Sequence, residues 1–244
     1  MLLTESNYYS LESAKEYFSV SQFKDFMKCE SMAMAKIRGE YKQPMTRPLL
    51  VGSFVDAYFE GTLEQFKIDN PDVFTQKNEL RSEFKKANEI IKKVTTDERF
   101  MYYMSGEKQK IITFELFGAM WKAKLDSYLK GVCITDLKVV ATFRNMHYWR
   151  YDIQGAVYQK GIEIVENEKP PFYLAPATKE RVVNFDIFHI PQRMLDDALM
   201  EVEISMPRFI EVKSGKAEPI RCEECDWCKS TKKSRVRSYA ELMV

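Results

Sequence analysis

The sequence predicts an α/β or α+β chain in which helices flank a central mixed β-sheet. Three observations predict it. Residues 22–104 carry charged, helical patterning, and residues 110–140 switch to alternating or continuous apolar runs punctuated by Gly118 and Gly131. Beyond them one helical pattern, two strand patterns and a final long helical pattern follow in turn. At 244 residues the chain is long enough for one sizeable core and short for two full domains. We therefore expect one domain over 1–244, with a helical part (1–106), a central core (107–210) and a basic, cysteine-containing segment (211–244).

Taken in order, Ser21 offers an N-cap for a helix from Gln22 to Arg38, though its apolar positions fit one face only loosely. Gly39 and the Pro44–Pro48 stretch end it. Leu49–Glu60 reads as a second helix, closely packed through Gly52, Ser53 and Ala57, and the helical region 62–104 turns at Asn70–Pro71. Lys110–Phe117, Trp121–Leu129 and Val132–Val140 read as an antiparallel meander. A helix over Ile153–Val165, strands at Pro171–Thr178 and Val182–Ile190, and a helix from Pro191 to about Pro207 complete the chain.

Composition narrows the function classes. Apolar residues make up 45% and charged residues 30%, as in an ordinary globular protein. No apolar run reaches the ~18 residues of a membrane span, and MLLTESNYYS lacks the apolar stretch of a signal peptide, so a cytoplasmic protein is expected. A net charge of +1 gives no global basic field, so a nucleic-acid partner would have to meet local patches.

The chemistry gathers in "KAKLDSYLKGVCITDLK". Residues two apart on a strand share a face, so Asp136 and Lys138 point together while Leu137 points into the core. The turn at Lys130–Gly131 can bring Asp126 beside Asp136. Two adjacent carboxylates repel unless a cation lies between them, and hard divalent ions prefer oxygen ligands. Magnesium there would polarise a phosphoryl oxygen, with Lys138 orienting water or neutralising phosphate charge, a set suited to phosphodiester hydrolysis. Taken alone, the spacing also suits a solvated strand face or a simple Asp–Lys pair. Gln154 and Tyr158 share a face of the next helix, and Glu115 lies on the preceding strand.

"KLDSY", "ITDLK" and "YDIQGAVYQ" together resemble the core of PD-(D/E)xK nucleases, in particular the RecE-type phage and prophage exonucleases related to the RecB nuclease domain. The resemblance runs from about Ser21 to Lys232. It implies that Asp126 and Asp136 bind Mg2+ (or Mn2+), that the Leu137 carbonyl completes the site and that Lys138 serves the attacking water. Gln154 and Tyr158 would support the site or touch DNA, and Glu115 matches an upstream acidic position; a polar helix surface and an exposed strand glutamate are the plain alternatives. Where such relatives carry a histidine four residues after a helix glycine, this chain has Asp56, either a metal ligand or a surface residue. His147 and His189 do not match that position. The implied activity is resection of linear double-stranded DNA by a ring-shaped homo-oligomer, removing the 5′-ended strand for a RecT-like single-strand annealing partner. A non-catalytic binding module on the same fold is the alternative of another class.

"RCEECDWCKS" places Cys222, Cys225 and Cys228 in a C-x2-C-x2-C run, a sign of thiolate ligation. Cys29, in "SQFKDFMKCESMAM", resembles the N-terminal cysteine of iron–sulfur nucleases related to RecB, which process ends with other polarity. That resemblance implies a [4Fe-4S] cluster joining the chain ends; the last spacing departs from it, with Thr231 near the final cysteine's place, so zinc or unligated thiols stay open. Cys133, on an apolar strand, reads as a small buried hydrophobe. For DNA, Lys179 in "ATKER" lies at a strand end near the expected active face, Tyr151 and Trp149 could stack on frayed bases, and Lys229, Lys232, Lys233, Arg235 and Arg237 form a basic tail.

Overall fold

The meander forms, but with a break at Asp126 that divides its middle strand. In the computed structural model, which describes residues 1–236, 238 and 239, β1 (Lys110–Leu116) pairs antiparallel with β2 (Ala119–Leu125), and β3 (Ser127–Leu129) pairs antiparallel with β4 (Cys133–Val140). A helix, α8 (Tyr151–Glu166), then crosses to β5 (Phe172–Thr178), which lies parallel to β4 with Leu174 opposite Asp136. The two-residue β6 (Phe188–His189) closes the order β3-β4-β5-β6. The sheet is mixed and flanked by helices, as the patterning predicts.

Strand alternation assigns the two faces of β4 to two cores. Ile134 belongs to one, together with Trp121, Phe172 and residues of α2 (Val20–Lys28), α3 (Glu30–Arg38), α8 and α9 (Gln192–Lys213). Leu137 and Val139 belong to the other, with α4 (Arg47–Glu60), α6 (Ser82–Thr95) and α7 (Glu98–Tyr103). Short helices α1 (Leu11–Glu16) and α5 (Leu63–Asp69) sit among these, and α10 (Asp226–Ser230) follows α9.

Close approach in this fold comes from α8, not α4. A Cβ on Gly52 would meet nothing within 4 Å, so the close packing expected there is absent. A Cβ on Gly155 would come 2.5 Å from the Phe172 ring, and one on Gly161 2.5 Å from the Phe114 ring. These glycines let the crossover helix lie directly on both the β1–β2 pair and the four-stranded sheet.

Three sequence expectations change. The helix expected over Gln22–Arg38 is two helices: Ser19, rather than Ser21, caps α2, and Cys29 adopts an extended backbone between α2 and α3. The loose amphipathic fit reflects that break. The strand expected over Val182–Ile190 shrinks to β6 plus a bridge between Phe185 and Ala177. Finally, α9 runs through Pro207 to Lys213, because the proline stands on the exposed side, where water can satisfy the carbonyl it leaves unpaired.

Candidate active site

The break at Asp126 positions the site. Released from the β2 register, Asp126 turns towards β4, where its Oδ2 accepts the Leu137 N–H at 2.9 Å. Asp136 and Lys138 share the face opposite Leu137, with Lys138 Nζ 2.5 Å from Asp136 Oδ2. From α8, Gln154 Nε2 donates to Asp136 Oδ1 at 2.7 Å. These side chains line a cavity of about 300 Å³, together with Tyr158, the Asp56 and Glu60 carboxyls of α4, Lys24 of α2, and Lys122 and Lys124 of β2. Tyr8 and Tyr9 complete its rim, and Lys122 holds that segment by donating to the Tyr8 carbonyl at 2.5 Å and the Ser13 hydroxyl at 2.8 Å.

Burial and crowding set the charges. Asp136 is 2% exposed. Burial raises its pKa and Asp126 adds to the rise, while Lys138 opposes it, leaving the group at about 7. Burial and the Asp126 charge likewise push Asp56 well above the usual carboxylate range. Burial disfavours the Lys138 ammonium, but Asp136 and Asp126 outweigh it and hold its pKa above that of a free lysine. Burial lowers Lys24 and Lys122 to about 8.

The residues fit a divalent cation. Asp136 Oδ2 is buried, with the Lys138 ammonium 2.5 Å away as its charge partner and no further polar group bonded to it. A buried carboxylate oxygen in that condition, in a cavity that the Asp126 and Asp56 carboxyls also line, is the environment a hard ion relieves. The folded pKa of Asp136, about 7, lies above the ~3.9 of an unfolded aspartate, so without metal its contribution to stability is present at low pH and is lost as pH rises from about 4 through about 7. A divalent ion competes with that proton. Magnesium is therefore expected to raise the melting temperature more at about pH 8 than at about pH 5.5, measured against chelator. Equal shifts would remove Asp136 from the ion's ligands.

Of the residues expected from sequence, Asp56, Asp126, Asp136, Leu137, Lys138, Gln154 and Tyr158 all line the cavity. Glu115 does not: it stands exposed on β1 opposite Met120, because its neighbours Phe114 and Leu116 take the buried face. Tyr151 flanks the site, its ring 5.6 Å from Lys24 Nζ and 5.5 Å from Lys138 Nζ, while Trp149 is exposed. Lys179 follows β5 outside the cavity lining, with Nζ 3.5 Å from the Pro48 carbonyl. Arg237 lies outside the described residues, and Lys229, Lys232, Lys233 and Arg235 are exposed. Sequence reasoning missed Glu60, Lys24, Lys122 and Lys124. Two spacings carried part of that signal: Glu60 follows Asp56 by one helical turn, and Lys122, Lys124 and Asp126 alternate in "KAKLD".

The other predicted ligand set also assembles. The sulfur atoms of Cys29, Cys222, Cys225 and Cys228 all lie within 4.8 Å of one another. Thr231 is not among them; its hydroxyl donates to the Trp227 carbonyl at 2.7 Å. Cys133 is buried on β4, and neither His147 nor His189 lines the carboxylate cavity.

Asp126 and Asp136 on a hairpin, Lys138 two residues on and Gln154 from a crossover helix define a PD-(D/E)xK-type site on its sheet. The chain belongs to the family described as a PDDEXK-like domain of unknown function (DUF3799), whose profile matches residues 19–231. It is similar to a crystal structure from Eubacterium rectale described as a candidate exonuclease, with 47% identity, coverage of 100% of this chain and 98% of that one, and a TM-score of 0.96. A second solved structure, described as SSO0001, matches 75% of this chain and 85% of its own at 10% identity, but its TM-score of 0.30 carries no argument. No curated protein matches the chain. Among the described residues, no helix is long and apolar enough to cross a membrane.

Proposed function

We propose that the protein is a metal-dependent exonuclease acting on the ends of linear double-stranded DNA. The carrying observation is the convergence of Asp126, Asp136, Lys138 and Gln154 in one cavity. The description of the Eubacterium rectale relative supports the exonuclease reading.

Asp126 and Asp136 would hold magnesium or manganese, with the Leu137 carbonyl as a further ligand and Asp56 facing the same space. When bound, the ion supplies Lewis acidity, polarising a phosphoryl oxygen and lowering the pKa of water. Gln154 fixes the Asp136 carboxylate, leaving Oδ2 for the ion and for Lys138. Without metal, Asp136 and Asp126 hold the Lys138 pKa above that of a free lysine. As a cation Lys138 would orient the attacking water and neutralise phosphate charge. Lys24 of α2 and Lys124 of β2 would meet the DNA backbone, and Tyr151 would offer a stacking face to the terminal base.

In this reading the 5′-ended strand is removed in the bacterial cytoplasm by a ring-shaped homo-oligomer, leaving single strands for a RecT-like annealing protein. Linear duplexes labelled at one 5′ or one 3′ end provide the test. Magnesium-dependent early release of the 5′ label as short products, abolished by chelator, is expected. Early release of the 3′ label reverses the polarity, and intact duplex under all divalent ions rejects the nuclease.

A further inference from the structure

The four cysteines differ from the carboxylate site in both chemistry and spacing. Cys29 Sγ is 3.5 Å from Cys228 Sγ, and Cys222 Sγ is 4.0 Å from Cys228 Sγ. With metal–sulfur bonds of roughly 2.3 Å, a tetrahedron around one ion has sulfur–sulfur edges of about 3.8 Å. In two-iron and four-iron clusters the cysteines are shared among several irons, so at least some of their sulfurs stand farther apart than the edges of a single-ion tetrahedron. With every pair of sulfurs within 4.8 Å, the set has the size of a single-ion cage rather than of a cluster.

We propose that Cys29, Cys222, Cys225 and Cys228 hold one zinc ion as a closed structural site. Four thiolates with no open position suit zinc held for structure rather than catalysis. The surroundings are those of thiolate ligands. The Met32 amide donates to Cys29 Sγ at 3.4 Å, the Cys225 amide to Cys222 Sγ at 3.3 Å, and the Cys228 amide to Cys225 Sγ at 3.4 Å. Arg221, bonded to the Cys228 carbonyl at 2.6 Å, places a cation beside the excess negative charge.

The site holds the break between α2 and α3 against the segment after α9. Two contacts reinforce that junction, Glu30 with the Ile220 amide at 2.7 Å and Trp227 Nε1 with Ser31 Oγ at 3.0 Å, and Glu30 also pairs with Arg208 of α9 at 2.8 Å. On its other side α2 supplies Val20, Ser21 and Lys24 to the wall of the carboxylate cavity. The zinc thus anchors the helix that forms one wall of the active site, with the ligand Cys29 about one and a half turns beyond Lys24.

Metal analysis of anaerobically purified protein decides the question, because it needs no catalytic readout. About one zinc per chain, no acid-labile sulfide and no visible colour are expected. Cobalt exchanged into the site should give the intense visible bands of tetrahedral cobalt thiolate. Cys225→Ser should retain less zinc, and amides of residues 20–38 should exchange hydrogen faster than in the wild type. Two or more irons with sulfide per chain, one iron per chain, or a metal-free protein giving no cobalt bands would overturn the proposal. Should Cys225→Ser not fold, metal content and the cobalt spectrum of the wild-type protein still decide.

Discussion

Lys138→Ala should lower DNA hydrolysis by about 10³-fold, and Asp136→Ala by at least as much. The side chains do different work. Asp136 is the buried carboxylate fixed by Gln154 and paired with Lys138, so its removal takes away the proposed ion ligand and the partner of a buried ammonium together. Lys138 supplies a charge kept protonated by Asp136 and Asp126. Asp136→Ala should therefore lose the magnesium-induced gain in melting temperature, whereas Lys138→Ala should retain much of it. Single-turnover degradation of a labelled duplex, with circular dichroism as the control for folding, measures the effect. Wild-type rates in a folded Lys138→Ala protein would remove Lys138 from the chemistry.

The largest single loss of stability should follow Trp121→Ala. Trp121 is fully buried on β2, donates Nε1 to the Leu116 carbonyl at 3.1 Å, and packs with its ring centroid 5.8 Å from Phe18 and 6.0 Å from Phe23. Phe18 also bridges β2 through its own backbone, so the indole joins the N-terminal segment, α2 and the hairpin. Deleting it should cost about 3–5 kcal/mol and lower the melting temperature by roughly 10 °C. Trp121→Phe, which keeps a ring and loses the hydrogen bond, should cost less. Denaturant unfolding of both variants measures this; a loss below about 1 kcal/mol for Trp121→Ala would mean the cavity closes by relaxation.

How legible the site was in the sequence depended on the distance over which each residue is positioned. Asp136 and Lys138 follow from the two-residue period of one strand, and Gln154 and Tyr158 from the four-residue spacing of one helix. The same alternation argues against Glu115, since Phe114 and Leu116 need the inner face. Asp56 is different: it reaches the cavity because α4 packs across β4, a long-range placement that no local pattern encodes. Cys29 was legible as a partner of the C-terminal cysteines from its resemblance but not as a helix break, because a thiol capping a helix is not distinguished by its residue type from one within it. Around Val182–Ile190 the apolar residues Val183, Phe185 and Ile187 pack on the second core with little strand pairing. Asp186 accepts the Ile187 amide at 2.8 Å, a local bond that competes with a ladder. β-Propensity there reflected burial rather than pairing.

The contact between Cys29 and Cys228 spans 199 positions of chain. At about 5–20 residues per second, translation leaves Cys29 without its partners for roughly 10–40 s. Throughout that interval the α2–α3 pair emerges from the ribosome without the segment that secures its junction, so the N-terminal helices finish folding only after nearly all the rest has been synthesised.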